Sequence, residues 1–254
     1  MSAVPELSIR ELSAGYRGTA VVSGVSMTVP GRQVTLVIGP NGSGKSTLAK
    51  ALAGVIPKMA GSVLLGEQDV TGLRSDELVR KGIGYVPQVR DVFDPLTVAE
   101  NLQVSAYTLD RQTFETRSEE VFNVFPRLAE LRRRLAINLS GGERKMLAFA
   151  RVLLLAPSIV IIDEPTAGLS PRLAEEVLQE HVVRISVAGA GVLLIEQRAA
   201  DALRIADMVC VMAGGRIKLR TSARDHSRHE EIVQAMLGDS AAEVPALLAR
   251  EPND

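Results

Sequence analysis

The chain has a single cysteine in 254 residues, so no disulfide framework can form within it. It also lacks net charge of either sign: 29 lysines and arginines stand against 30 aspartates and glutamates, leaving −1. That balance argues against a protein built to coat nucleic acid. Long hydrophobic runs are absent too. The longest, Val152 to Ile162, is broken by Pro157 and falls short of the roughly 20 residues that a bilayer requires. Met1 to Arg10 carries no apolar signal core. Together these absences predict a cytosolic chain, at most peripheral to a membrane. No internal repeat or low-complexity segment breaks the pattern. With 46% apolar and 23% charged residues, the chain can bury the core of one large α/β domain or of a domain with an inserted lobe. Cys210, inside the apolar segment Met208 to Met212, reads as a packing residue in a strand.

Hydrophobic periodicity predicts strands near Leu7 to Leu12, Val34 to Ile38, Ser62 to Leu65, Ile83 to Val86, Ile159 to Asp163, Val192 to Glu196 and Met208 to Met212. Several are unbroken branched or leucine runs, as in parallel strands covered on both faces, so a wound α/β sheet is expected. Between Asp94 and Arg134 the pattern turns helical, over Thr97 to Tyr107, Thr113 to Phe125 and Leu128 to Leu135. This stretch reads as a helical lobe inserted into the sheet domain.

Three pieces carry chemistry. The first is Gly39-Pro40-Asn41-Gly42-Ser43-Gly44-Lys45-Ser46-Thr47, entered from the apolar run Val34 to Ile38. It fits G-x-x-x-x-G-K-[ST] between a strand and a helix, a loop whose glycines let backbone amides crowd around phosphate oxygens while the helix aims its positive end at the same anion. Lys45 neutralises β- and γ-phosphates in such a loop, Ser46 ligates the bridging Mg2+, and Thr47 bonds an α-phosphate oxygen. The second is Leu139-Ser140-Gly141-Gly142-Glu143, where Ser140 and Glu143 form a capping box that starts a helix. On the pentapeptide alone, a well-capped helix and a second phosphate-contacting surface are equal readings. The third is Ile159-Val160-Ile161-Ile162-Asp163-Glu164-Pro165, a buried strand with two carboxylates at its carboxyl end, where ligands of open α/β sheets collect. Asp163 suits a Mg2+ ligand, direct or through water, and Glu164 suits a general base that orients the attacking water.

In this order the three pieces resemble the ATPase subunit of ABC transporters, with coverage from about Leu7 to Gly238. The resemblance implies a P-loop NTPase wound sheet with an N-terminal antiparallel β portion and an inserted α-helical lobe. It divides a single domain, 1–254, into an ATP-binding core at 7–93 and 136–238, a lobe at 94–135 that the 140–155 helix continues, and a tail at 239–254. It implies ATP and Mg2+ as ligands. Tyr16 falls at the position that stacks on adenine, and Gln88 at that of the glutamine reaching Mg2+ and the catalytic water. Two such subunits are expected to meet head to tail, the P-loop of one and the Ser140-Gly141-Gly142-Glu143 helix mouth of the other closing on one ATP. The motion passes to transmembrane permease subunits through the groove near Gln88 to Leu96.

Two positions depart from the family's usual pattern. After Val192 to Ile195 comes Glu196-Gln197, so Gln197 stands where a histidine is usual, and none of His181, His226 and His229 falls there. An amide donates a hydrogen bond but cannot become a cation near neutral pH, which implies slower hydrolysis or a heavier reliance on Glu164. Ser170 stands where many members carry aspartate. Passages such as Val124-Phe125-Pro126-Arg127-Leu128 and Ile195-Glu196-Gln197 resemble the LivF-type ATPase of branched-chain amino acid importers, with urea and short-amide importers similar. That likeness implies a LivG-type second ATPase or a homodimer as partner, an indirect link to a periplasmic or extracellular solute-binding protein, no nucleic acid, and a place on the inner face of the plasma membrane. A nucleotide-gated binding subunit with weak hydrolysis, and a soluble ABC ATPase, are the alternatives. Arg132-Arg133-Arg134 reads as a solvated helix end, and the tail beyond a helix near Glu230 to Leu237 as a small appended helix or a frayed end with no catalytic part.

Overall fold

The computed structural model describes residues 4–89, 91–225 and 231–232. His226, His229, the expected helix near Glu230 to Leu237 and the tail at 239–254 fall outside the described residues, apart from two helical positions at 231–232. Two sheets organise the chain. The larger has the order β10-β9-β3-β8-β7-β6. Its strands β3 (Val34–Ile38), β6 (Ile83–Val86), β7 (Ile159–Asp163), β8 (Gly191–Ile195) and β9 (Met208–Ala213) run parallel. The edge strand β10 (Arg216–Ser222) is antiparallel. The smaller sheet is antiparallel, ordered β2-β1-β4-β5, from β1 (Leu7–Tyr16), β2 (Thr19–Val29), β4 (Lys58–Leu65) and β5 (Gln68–Asp69).

The branched runs predicted as central strands are buried at every position in β3, β7 and β8. Successive side chains point to opposite faces. Leu36, Val160, Ile162, Val192 and Leu194 join the core on the helical side. Val37, Ile159, Ile161, Leu193 and Ile195 join the core shared with the antiparallel sheet and α1 (Lys45–Leu52). This double coverage is why the runs are continuous rather than alternating.

The inserted segment folds as α3 (Val98–Ser105), α4 (Arg111–Val124) and α5 (Pro126–Glu130), following a short α2 (Ser75–Arg80) in the sheet domain. The helix expected over Leu128 to Leu135 stops at Glu130. Its last residues lie instead beside the start of α3, where Val98 N donates to Arg134 O and Ala99 N to Arg132 O, both at 3.0 Å. Those carbonyls satisfy first-turn amides that have no partner inside α3, and this tertiary demand outweighs local helix propensity. The chain then enters α6 (Gly141–Leu153), which packs against the lobe and the sheet.

Beyond β7, α7 (Pro171–Glu176) continues through one π-helical stretch, Val177–Val182, into α8 (Val183–Val187). His181 in that stretch is buried, with neither ring nitrogen hydrogen-bonded. It packs edge-on against Phe125 and Phe149, and burial lowers its pKa to about 4, so it sits neutral as an apolar plug. Cys210 is fully buried in β9, as expected, and burial pushes its thiol up to about 11. The remaining helix, α9 (Ala199–Leu203), lies between β8 and β9.

Candidate functional site

The loop after β3 is built around backbone rather than side chains. A Cβ at Gly39 would lie 2.0 Å from Met212 O, so only glycine lets the loop pass the end of β9. Gly44 sits at φ 102 and serves as N-cap of α1 without any side-chain hydrogen bond. The first amides of α1 are therefore left to an outside acceptor, at the positive end of the helix. Ser43 Oγ is buried and has no partner. Lys45 is buried as well, its Nζ donating to Gly39 O at 2.8 Å and Pro40 O at 3.0 Å. Burial lowers the lysine pKa, and the negative charges of Glu164, Asp163 and Glu196 oppose that shift. An ammonium held on loop carbonyls, an orphaned hydroxyl and an uncapped helix together fit a polyphosphate.

A cavity of about 300 Å³ opens over this loop. Asn41, Gly42, Gly44, Lys45, Ser46 and Thr47 form one side of it, and Gln88, Glu164 and Gln197 the other. The second group comes from the carboxyl ends of three adjacent parallel strands, β6, β7 and β8. Glu164 is gripped there from both sides. Gln88 Nε2 donates to its Oε2 and Gln197 Nε2 to its Oε1, each at 2.7 Å. Asp163, one residue earlier, faces α1, where its Oδ1 accepts from Ser46 Oγ at 3.0 Å. Burial raises the Asp163 pKa, countered by the Ser46 hydrogen bond and reinforced by the charge of Glu164.

The Ser46 and Asp163 oxygens are hard donors, and Gln88 lines the same cavity as Ser46. Among the described residues no cluster of three or more His, Cys, Asp or Glu gathers to hold an ion. A divalent cation here would rest on two or three protein oxygens and complete its shell with phosphate and water, which is how Mg2+ is bound.

The capping box at α6 forms as expected. Glu143 N donates to Ser140 Oγ at 3.3 Å, and Ser140 N to Glu143 Oε2 at 3.0 Å. Ser140, Gly141, Gly142 and Glu143 do not line the cavity over the chain's own P-loop. A Cβ at Gly141 would press on Leu169 at 3.0 Å, so this helix mouth lies against the loop after β7. Tyr16, at the end of β1, is 44% exposed and is not among the cavity's lining residues either. Thus the structure joins the P-loop with Gln88, Glu164 and Gln197, and leaves the Ser140 mouth and Tyr16 on other surfaces.

Sequence reasoning missed a polar strap behind this site. Lys145 of α6 is buried against Asp91, with Nζ at 2.7 Å from Oδ2, and donates to Gln88 O at 3.3 Å. Arg144 pairs with Asp94 at 2.5 Å, while Arg151 donates to Asp91 O and lies over the Phe93 ring. Three cations of one helix therefore hold the segment following Gln88. No local signal marks the pairing, because its partners lie fifty or more residues apart. Glu196 was also missed, although its position directly after β8 mirrors that of Glu164 directly after β7, Asp163 being in register with Ile195.

With this geometry in hand, the family is decided by residues 22–167, which match the model described as ABC transporter. The chain belongs to the ABC transporter family. It is an ATP-hydrolysing cassette of that family. A probable branched-chain amino acid transport ATP-binding protein LivF of Archaeoglobus fulgidus is 36% identical over 228 residues, 90% of this chain and 97% of that protein. The high-affinity branched-chain amino acid transport ATP-binding protein BraG of Pseudomonas aeruginosa is 34% identical over 91% of this chain and 99% of its own length. Among solved structures, the ADP conformation of an ABC transporter cassette superposes with a TM-score of 0.80 at 27% identity, covering 92% of this cassette and 99% of that chain. Wound sheet, antiparallel portion and helical segment are those of the ABC cassette fold.

Proposed function

We propose that the cassette is the ATP-binding and ATP-hydrolysing subunit of an importer for branched-chain amino acids or related small amides. The observation that carries its chemistry is the Glu164 carboxylate at the P-loop cavity, held by amides from Gln88 and Gln197. Similarity to LivF and BraG along nearly the whole chain supports the solute class.

In this reading Gly39 to Thr47 bind the phosphates, with Lys45 leaving its loop carbonyls for phosphate oxygens. Ser46, Asp163 and Gln88 would hold Mg2+, which would supply neutralisation of the phosphate charge. Glu164 takes the proton from the attacking water as general base. The Gln88 and Gln197 amides orient the carboxylate, and Gln197 cannot itself accept a proton to become a cation. Tyr16 contributes a π face to the adenine.

The Ser140 to Glu143 helix mouth of a second ATPase subunit, a LivG-type paralogue or another copy, completes the site from across the dimer. The partition is a core at 7–93 and 136–238 with a lobe at 94–135. Permease subunits dock in the cleft of about 400 Å³ between sheet and lobe, lined by Val55, Val79, Tyr85, Tyr107 and Pro157, with Val89 and Phe93 exposed nearby. Among the described residues no helix is long and apolar enough to cross a membrane, in keeping with a peripheral place on the cytoplasmic face. A solute-binding protein outside the membrane completes the system.

The test is ATP turnover of the complex co-purified with its membrane subunits, with and without leucine. Glu164→Gln is expected to retain ATP binding and to lose about two or more orders of magnitude in kcat. Undiminished turnover removes Glu164 from the role, and indifference to leucine argues against the solute class. Gln197 in the histidine position favours a second reading, a nucleotide-gated subunit that barely hydrolyses. Negligible turnover by the wild-type chain, when its partner has lost the equivalent glutamate, would establish that alternative.

A further inference from the structure

Glu164 adopts φ 45, in the left-handed region that a side chain rarely occupies. Such a conformation persists only where the surroundings over-determine it. Its backbone is fixed on both sides, by Glu164 N donating to Ile195 O at 2.9 Å and Ala167 N to Glu164 O at 3.2 Å. Between those two bonds Thr166 N donates to a side chain, Glu196 Oε1, at 3.0 Å. The other oxygen of the same carboxylate, Oε2, accepts from Gln197 N at 3.1 Å. Gln197 is in turn the residue whose Nε2 holds Glu164 Oε1.

Glu196 is 1% exposed, and its own amide donates to Val37 O at 3.2 Å, which anchors it to the strand that enters the P-loop. Burial raises its pKa, and the Thr166 side chain with the amides of Thr166, Gln197 and Arg198 opposes the rise. Both oxygens accept from N–H groups, one on each side of the carboxyl group. Asp163 faces α1 and Glu164 faces the cavity, so neither serves this loop.

We infer that Glu196 is a positioning residue for hydrolysis, gripping the turn after Glu164 with one oxygen and the Gln197 backbone with the other, so that the Glu164 carboxylate is held toward the P-loop. This rests on the reading of Glu164 as the base. The loop it braces, with Thr166, Ala167, Gly168 and Leu169, also walls a second cavity of about 360 Å³ that shares Gln88, Glu164 and Gln197 with the first. A carboxylate buried beneath that loop fixes its shape without touching a phosphate.

The test uses the full chain in the complex co-purified with its membrane subunits, supplied with Mg-ATP. Glu196→Gln keeps the volume but offers one acceptor oxygen for two amides. Its kcat is expected to fall about 10- to 100-fold, as positional loosening of a catalytic group does, with KM for ATP within about twofold. Titrated ATP-binding stoichiometry counts the folded molecules. In a Glu164→Gln background, single-turnover rates are expected to change by less than about twofold on adding Glu196→Gln, because the effect runs through Glu164. A merely structural lesion lowers the rate equally in both backgrounds, and that additivity overturns the inference, as does wild-type kcat in Glu196→Gln. Should Glu196→Gln fail to bind ATP, Glu196→Asp decides. It keeps the charge with a shorter reach, so reduced kcat at unchanged KM supports the inference and wild-type kcat overturns it. Full turnover in Glu164→Gln defeats the base assignment and this inference together. Full turnover in Glu196→Gln alone defeats only the inference.

Discussion

Two helices of this cassette begin beside glycines, and their first turns are finished in opposite ways. At α1 the cap is Gly44 in a left-handed conformation, with no side-chain bond to the free amides. At α6 the cap is Ser140, whose hydroxyl accepts from Glu143 N while Glu143 accepts from Ser140 N, a box that closes two amides of the helix mouth and leaves those of Gly141 and Gly142 without a side-chain cap. An end left open offers its amides and dipole to an anion, and an end with a capping box already has two of its amides paired. The contrast gives the two halves of an ABC ATP site different characters within one chain. The P-loop half is incomplete without nucleotide. The Ser140 mouth does not line the chain's own cavity, and in the proposed dimer it meets a nucleotide that another subunit presents.

The largest expected effect breaks the open end. Lys45→Ala removes the ammonium that now rests on Gly39 O and Pro40 O, and ATP affinity is expected to fall about 100-fold, near 3 kcal/mol. Isothermal titration measures this, and an unchanged affinity would mean that the loop does not hold phosphate. A smaller effect sharpens the closed end. Ser140→Ala deletes the capping hydroxyl, which is expected to lower unfolding stability by about 1 kcal/mol in denaturant titration. ATP affinity of the single chain is expected to stay within about twofold, since Ser140 does not line its own cavity. A matching loss of affinity would place α6 in the wrong half of the site.

How much of this was legible follows from where each signal resides. β3, β6 and β7 were read with the bounds that the structure gives, because a strand buried on both faces writes an unbroken apolar run. β2 and β10 were not read. The first is exposed over its opening residues Thr19, Ala20 and Val21 and interrupted by Gly24 at φ 62, and the second is an edge strand with charged residues along its open face. β1 was read short, since register shifts between Ile9 and Gly15 break its alternation. Leu128 to Leu135 misled in the other direction, where carbonyls were claimed by α3.

At the site, the P-loop and the Asp163-Glu164 pair were visible because both are contiguous motifs. The two-sided grip on Glu164 was not, because Gln88 and Gln197 meet it only through the parallel order of β6, β7 and β8. Glu196 was hidden for a different reason. Its partners are backbone amides, which carry no residue identity.

The most direct measurement is amide hydrogen exchange on the dilute, singly dispersed chain, with and without Mg-ATP. The account predicts strong protection at 41–47 on nucleotide addition and little change at 140–143, because only the uncapped helix awaits an anion from its own subunit. Protection at 140–143 with none at 41–47 would contradict it.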